Sequence, residues 1–415
     1  RPDGGSRSHR RRGVTHERVD VAIVGGGPAG AVLGARLARA GVAVTVLERS
    51  AIWTWHAGGV FASPAAAVAL ERAGLDAATT AAVARPIPAM RVETPRGVAF
   101  RLTYGTETGG RPAVGFDRSR LDPALIDLAR TAGADVRLGW RVAEVDVAAG
   151  RLRVRDPDGA VHELDARFVV GADGPHSVVA RAARVDRRVR LGPRIGLTYH
   201  LPDTEPDRVR DARMRVLRDG YIGIAPVPGG RVNIGIVLGS SWRTALATDG
   251  ARSVAADIVA RIPPTAEDPA LWRHGEALDT VAGAWPLGHR VTRRAGSGWL
   301  LVGDAAGFLD PFTGEGLHRA LVSAELAASA ITARQRGRPG AMNAYERAMH
   351  RQFLAKDAVS WLVQGFLAQP AMFEYAARRI AARDAVRATM GLVMGDLVPA
   401  GRALDPRFLA RLLAP

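Results

Sequence analysis

Three glycines set directly after a buried apolar run constrain this chain more than any other feature. The segment Val21-Ala-Ile-Val24-Gly25-Gly-Gly27-Pro-Ala-Gly30 reads as a parallel strand that stops in a tight turn, with Ala29 to Ala40 as the helix that follows. Each glycine has its own task. Gly25 turns the chain out of the strand, Gly27 lets bare backbone approach a pyrophosphate, and Gly30 lets the helix settle closely on the sheet. Phosphates placed there meet the positive end of the helix, which Pro28 and Ala29 begin, and its free N–H groups.

The next strand, Val44-Thr-Val-Leu-Glu48-Arg49, ends on a carboxylate where one can bind both hydroxyls of an adenine ribose. Ionised at neutral pH, Glu48 makes each of those bonds charge-assisted and repels a 2′-phosphate. The order of strand, glycine turn, helix, strand and terminal acid therefore predicts a dinucleotide site suited to FAD or NAD rather than NADP.

Composition narrows the partners. With 415 residues, 47% of them hydrophobic and 24% charged, the chain is ordinary globular protein. Its formal charge of +16 comes almost wholly from arginine, Lys356 being the only lysine. Such arginine, alanine and glycine abundance fits the codon bias of a GC-rich genome, and no nucleic-acid-binding motif accompanies it, so no specific nucleic-acid partner is expected. There is no cysteine. That excludes disulfides, a thiolate nucleophile, Cys-ligated metal and a cysteine-linked flavin, and no other metal site is expected.

The longest uncharged apolar run, Val21 to Ala35, is too short to span a bilayer and contains the glycine turn. A cytoplasmic location is expected, and a peripheral membrane contact through basic and helical segments is compatible with it. Residues 1–18, rich in arginine, serine and glycine, read as a disordered tail. The chain opens on Arg1 and not Met, so its first residue is not expected to be the translational start.

Past Glu48 lies an aromatic and glycine-rich loop, Trp53-Thr-Trp55-His56-Ala57-Gly58-Gly59-Val60, followed by a helix from Pro64 to about Ala73. Arg91 to Thr103 alternates as a strand, and Phe116-Asp-Arg118 leads into a helix reaching Arg130. Alternation over Asp135 to Val147, Arg151 to Asp156 and Val161 to Val170 predicts a small antiparallel layer beside the parallel sheet. Residues 190–285 are strand-rich, a long helix is expected from Gly314 to Arg334, and the chain beyond Asn343 has helical spacing.

Two further motifs carry chemistry. Val169-Val-Gly171-Ala-Asp173-Gly174 ends a strand in a second glycine turn. Gly303-Asp304-Ala305-Ala-Gly-Phe-Leu-Asp310-Pro311-Phe-Thr-Gly314-Glu315-Gly316 takes a carboxylate out of a buried strand into a glycine-rich loop that opens a helix. Asp304 can accept hydrogen bonds from polyol hydroxyls, and the N–H groups around Gly314 and Gly316 can face an electron-rich carbonyl. FAD has both a ribityl chain and an isoalloxazine edge that becomes anionic on reduction, whereas NAD has neither. Pro311 and Glu315 are counted among the expected cofactor contacts near that edge, with capping of the helix that starts there the preferred job of Glu315.

Taken in order, Gly25-x-Gly27-x-x-Gly30, Asp173-Gly174 and Gly303-Asp304 resemble the three fingerprints of FAD-dependent aromatic hydroxylases of the p-hydroxybenzoate hydroxylase type and of their geranylgeranyl reductase relatives. The resemblance covers about residues 19–345. It implies an α/β (α+β) chain: a Rossmann-like FAD-binding domain (19–85, 112–189, 286–342), an inserted sheet domain over the flavin (86–111, 190–285) and a helical C-terminal region (343–415). It further implies non-covalent FAD, with Glu48 on the adenosine ribose, Arg118 on the phosphates, Asp173 holding the cofactor and its helix, and Asp304 at the ribityl-pyrophosphate region. Gly174, Ala305 and Arg49 join the expected cofactor contacts, and NAD(P)H is the expected reductant.

Three reactions fit such a site. Hydroxylation or epoxidation of a large, largely apolar molecule would run through a flavin hydroperoxide, with water excluded. Reduction of a C=C bond needs hydride and a nearby acid. Halogenation is the weakest reading, because enzymes of that kind use a tunnel lysine and Lys356 lies in the helical tail. Asp310-Pro-Phe-Thr-Gly-Glu-Gly316 looks closer to the reductases, but Ala57 stands where many of them have cysteine. The balance tips to oxygenation, because His56 and Tyr221 are the only obvious proton donors.

Overall fold

The structure is a computed structural model that describes residues 15–53, 58, 60–105, 109–189, 194–265 and 275–414. Its first sheet is built around five parallel strands in the order Trp299–Leu301, Val161–Gly171, Thr15–Val24, Val44–Glu48 and Asp135–Leu138. Val21, Ala22 and Ile23 are wholly buried because helices close over the strand. The helix Pro28–Arg39 packs against both Arg118–Thr131 and Gly316–Gln335, joining the main hydrophobic core. Burial on both faces is what continuous apolar runs in a parallel sheet require.

A second sheet runs in the order Ala282–Ala284, Ile195–Pro202, Arg231–Leu238, Gly220–Val227, Ala212–Leu217, Ala89–Glu93 and Ala99–Thr103. One of its faces carries an apolar cluster of Tyr199, Ile222, Ile234 and Ile236, covered by the helix Arg243–Ala260. The other packs Met214, Tyr221 and Val237 with Phe61 and Phe312 from the first unit and with residues of the C-terminal helices. A three-stranded sheet of Phe61–Ala62, Ala113–Phe116 and Ala84–Ile87 joins the units. There Gly115 is needed: a Cβ on it would stand 2.0 Å from the Pro226 carbonyl oxygen. Asp117, which receives the Ser119 N–H at the start of its helix, also takes Arg231 Nη2 at 2.5 Å.

The fold class expected from the sequence holds, while several local expectations do not. Asp135–Leu138 and Val161–Gly171 are members of the parallel sheet, and of these segments Arg141–Asp146 and Arg151–Arg155 extend it in antiparallel fashion, as Ala295–Gly296 does beside Trp299–Leu301. There is thus no separate layer. Arg91 to Thr103 is not one strand but a hairpin, Ala89–Glu93 with Ala99–Thr103, turned by the Thr94 hydroxyl accepting from the Val98 N–H. The expected tail is shorter, since the first strand starts at Thr15 and pairs His16 to Arg18 with Glu163 to Asp165. The long helix starts at Gly316 because Gly314 is left-handed, at φ +65°.

Candidate functional site

Two glycines of the turn are required by the backbone around them. Gly25 has φ +104°, and a Cβ there would sit 2.4 Å from the Ala172 carbonyl oxygen. At Gly30 a Cβ would stand 1.9 Å from the Gly25 carbonyl oxygen, so the helix rests directly on the turn. Gly27, the N-cap, differs: a Cβ there would meet nothing within 4 Å. The fold itself needs Gly25 and Gly30, whereas the bareness of Gly27 only keeps open the space before the helix N-terminus, with Pro28 and the buried Ala29 behind it.

Glu48 is buried and takes backbone donors on both oxygens, the Gly26 N–H at 2.7 Å and the Ser50 N–H at 2.8 Å. Each oxygen has a second lone pair for a ribose hydroxyl. Arg49 beside it is exposed.

The other two motifs touch this turn. Asp173 backs onto Gly25 and accepts the Val178 N–H at 2.6 Å, anchoring the short helix Val178–Ala182. Burial pushes its carboxyl up against the lowering pull of the Ser177 hydroxyl and the Val178 N–H, and its Oδ1 is buried with no partner among the described residues. Gly174, at φ +79°, faces open space. From the third motif, Gly303 donates its N–H to Ser323 Oγ at 2.8 Å and lies against Ala29. Asp304 follows, its carboxyl pushed up by burial and pulled down by Arg319, Arg118 and His289. The Arg118 guanidinium holds Asp122 with Nε at 2.7 Å and Nη2 at 2.9 Å; burial disfavours its charge, but Asp122 and Asp304 more than compensate. An orphaned carboxylate oxygen and an open glycine beside the first turn, with a buried Arg–Asp pair whose charge acts on Asp304, fit a cofactor carrying both phosphates and hydroxyls.

The loop before the long helix carries the last glycines of the third motif. Gly314 lies where a Cβ would meet Phe61, and a Cβ on Gly316 would meet nothing within 4 Å. Pro311 opens a single turn, Pro311–Thr313, which the Asp310 side chain caps by accepting the Phe312 N–H. The capping role expected of Glu315 is overturned. It occupies the N-cap position, but at φ −89° and ψ −7° its backbone is not in the extended form that aims a side chain at the helix N–H groups. Its carboxylate turns to Arg319 Nη2 at 3.3 Å and Lys356 Nζ at 4.0 Å.

Of the two candidate proton donors, His56 lies outside the described residues, as does Trp55. Tyr221 is buried, its hydroxyl donating to Asp310 Oδ1 at 2.5 Å and its ring standing edge-on to Phe312 with centroids 5.0 Å apart. Asp310 also takes Arg194 Nη1 on Oδ2 at 3.1 Å. Burial, with the Asp310 charge added, pushes the Tyr221 phenol well up. Burial likewise pushes the Asp310 carboxyl up, opposed by Arg194 and by the Tyr221 hydroxyl.

Asp310 and Arg194 were not foreseen as site residues. Asp310 sat within the third motif, where its burial was the missing signal; Arg194, 116 positions away, gave none. His289 was also missed. It sits behind Ala305, whose carbonyl faces its Nε2 at 3.1 Å, with Asp186 Oδ1 2.9 Å from Nδ1.

The family model described as FAD binding domain matches residues 18–360. The chain belongs to that FAD-binding family. Its cofactor is FAD, and its family is one of FAD-dependent oxidoreductases. It is 31% identical to digeranylgeranylglycerophospholipid reductase 2 of Methanopyrus kandleri, over 75% of this chain and 77% of that one. It is also 27% identical to a flavin-dependent halogenase of Armillaria mellea, over 76% of this chain and 65% of that one. Among solved structures, a flavoprotein/dehydrogenase from Cytophaga hutchinsonii shares the fold with a TM-score of 0.79 at 19% identity, covering 95% of both chains. Membership thus gives the cofactor and the class, not the reaction. Among the described residues no helix is long and apolar enough to cross a membrane, and no group of acids and histidines could hold a metal ion.

Proposed function

We propose that this flavoprotein reduces carbon–carbon double bonds in a large, largely apolar, isoprenoid-like molecule, with NAD(P)H as the reductant. Bound FAD supplies the hydride. Gly25, Gly27 and Gly30 would seat its pyrophosphate, Glu48 its ribose, Asp304 its ribityl region with Arg118 nearby, and the N–H groups at Gly314 and Gly316 its electron-rich edge.

The observation that carries the reading is the buried Tyr221–Asp310 pair. Saturating a double bond consumes a hydride and a proton, and the lack of a placed donor was the main argument for oxygenation. Tyr221 keeps its proton across the working pH range because burial and Asp310 both hold it there. Asp310, held by Arg194, accepts the phenol hydrogen bond and so fixes the orientation of Tyr221. The pair stands between the second sheet and the flavin-facing loop, among apolar residues that include Phe61 and Phe312. The 31% likeness to a reductase of geranylgeranyl chains supports the same substrate class.

The test is anaerobic reduction of the purified protein with NADPH and with NADH, followed by addition of a digeranylgeranyl lipid and then of air. Reoxidation of the flavin by the alkene without oxygen supports the reading. Reoxidation only by oxygen, with an oxygen atom transferred to product, favours hydroxylation instead.

A further inference from the structure

The C-terminal helices beyond residue 360, outside the segment matched by the family model, carry a surface the flavin chemistry does not use. Met372 and Tyr375, one turn apart on the helix Pro370–Ala382, are 53% and 39% exposed, and Leu413 at the end of Pro406–Leu413 is 44% exposed. These residues adjoin one another, because the Tyr375 hydroxyl donates to the Leu413 carbonyl at 2.8 Å. The patch is also pinned in place. Arg383 bonds the carbonyls of Arg411 and Ala414, and Arg379 lies over the Tyr375 ring, its guanidinium carbon 4.9 Å from the centroid.

Around this apolar centre stand Arg378, Arg379, Arg383 and Arg411, while the nearby acids are engaged. Asp384 pairs with Arg387, Asp405 caps its own helix, and Glu374 is buried. Exposed apolar side chains ringed by arginine complement an acyl boundary beneath anionic headgroups, whereas a second copy of the same cationic face would repel it.

We infer that this face of the two helices is a docking surface for an anionic lipid bilayer. The helices lie in the headgroup plane and do not cross it. Docking depends on the apolar centre and the arginine rim together, and not on which reaction the flavin performs.

Cosedimentation of the full-length FAD-loaded protein with vesicles tests it. At physiological salt the protein binds vesicles of phosphatidylcholine mixed with phosphatidylglycerol and leaves pure phosphatidylcholine in the supernatant. The double variant Met372→Ser, Leu413→Ser keeps every charge, including the arginines of residues 1–14, and loses about tenfold or more in vesicle affinity. Arg378→Gln with Arg411→Gln loses about tenfold as well and flattens the salt dependence. Melting temperature and flavin content stay unchanged in both, which separates docking from folding. Equal vesicle binding by the apolar variant overturns the inference. So does concentration-dependent self-association, without lipid, that the apolar variant abolishes.

Discussion

Glu48 and Gly26 are joined by a hydrogen bond of 2.7 Å from the glycine N–H to the carboxylate, so the acid that ends the second strand also fastens the glycine turn after the first. Position 26 suits glycine, because a Cβ on it would stand 2.9 Å from Glu48 Cβ. Glu48→Gln replaces one acceptor oxygen with a donor group that must face a backbone N–H. A charge-assisted bond of this kind contributes about 1.5–3 kcal/mol. Fluorescence titration of the apoprotein with FAD is therefore expected to show binding weakened about tenfold or more.

Gly27 and Gly30 separate folding from cofactor binding. Gly30→Ala forces a methyl to within 1.9 Å of a backbone oxygen and is expected to cost about 3 kcal/mol or more of stability. Gly27→Ala meets no protein atom within 4 Å, so thermal unfolding of the apoprotein should hardly change while FAD retention falls sharply. A Gly27→Ala protein that keeps its FAD would remove the pyrophosphate from that place.

Tyr221→Phe deletes the hydroxyl that meets Asp310 and keeps the ring against Phe312. Turnover is expected to fall by about 10²-fold or more, as for loss of a positioned general acid, with flavin content unchanged. Reduction of the flavin by NAD(P)H, measured separately by stopped flow, should keep its rate. A loss confined to that half-reaction would place the residue elsewhere in the cycle.

Lys356 ties the helical tail to the loop before the long helix, with Nζ 2.6 Å from Asp396 Oδ1 and 4.0 Å from Glu315 Oε2. Burial pushes the Asp396 carboxyl up, but Lys356 and His318 pull it well below the ordinary carboxylate range. Because the folded value is depressed, the pair's stabilisation is present above the unfolded value of about 3.9 and is lost as pH falls below it. Lys356→Met breaks the buried pair and leaves Asp396 with His318 beside it, and breaking such a pair costs about 3–5 kcal/mol at neutral pH. In denaturant titrations the deficit should narrow below about pH 4, as Asp396 takes up a proton.

The parts of this molecule that are legible in the sequence are the ones decided within a few residues. The glycine turn, its helix and Glu48 are read from spacing because strand, turn and acid are local. Val161–Gly171 misled because it changes partners along its length. Its start pairs with Arg151–Arg155 and is half-exposed, so it alternates, whereas its end pairs with Trp299–Leu301 and is wholly buried. Alternation in the first half looked like a separate layer. Tyr221 and Asp310 are 89 positions apart, and only the packing of the second sheet on the loop makes them a pair. Lys356 looked remote from the third motif for the same reason: nothing in a helical tail says that its one lysine will reach Glu315.

The most direct test of the account is the mass of the product formed from a digeranylgeranyl lipid by the FAD-loaded protein and NAD(P)H under dioxygen of a heavy isotope. Double-bond reduction predicts a product heavier by two hydrogens per bond and free of labelled oxygen. A product carrying labelled oxygen, with its double bonds otherwise intact, would contradict it.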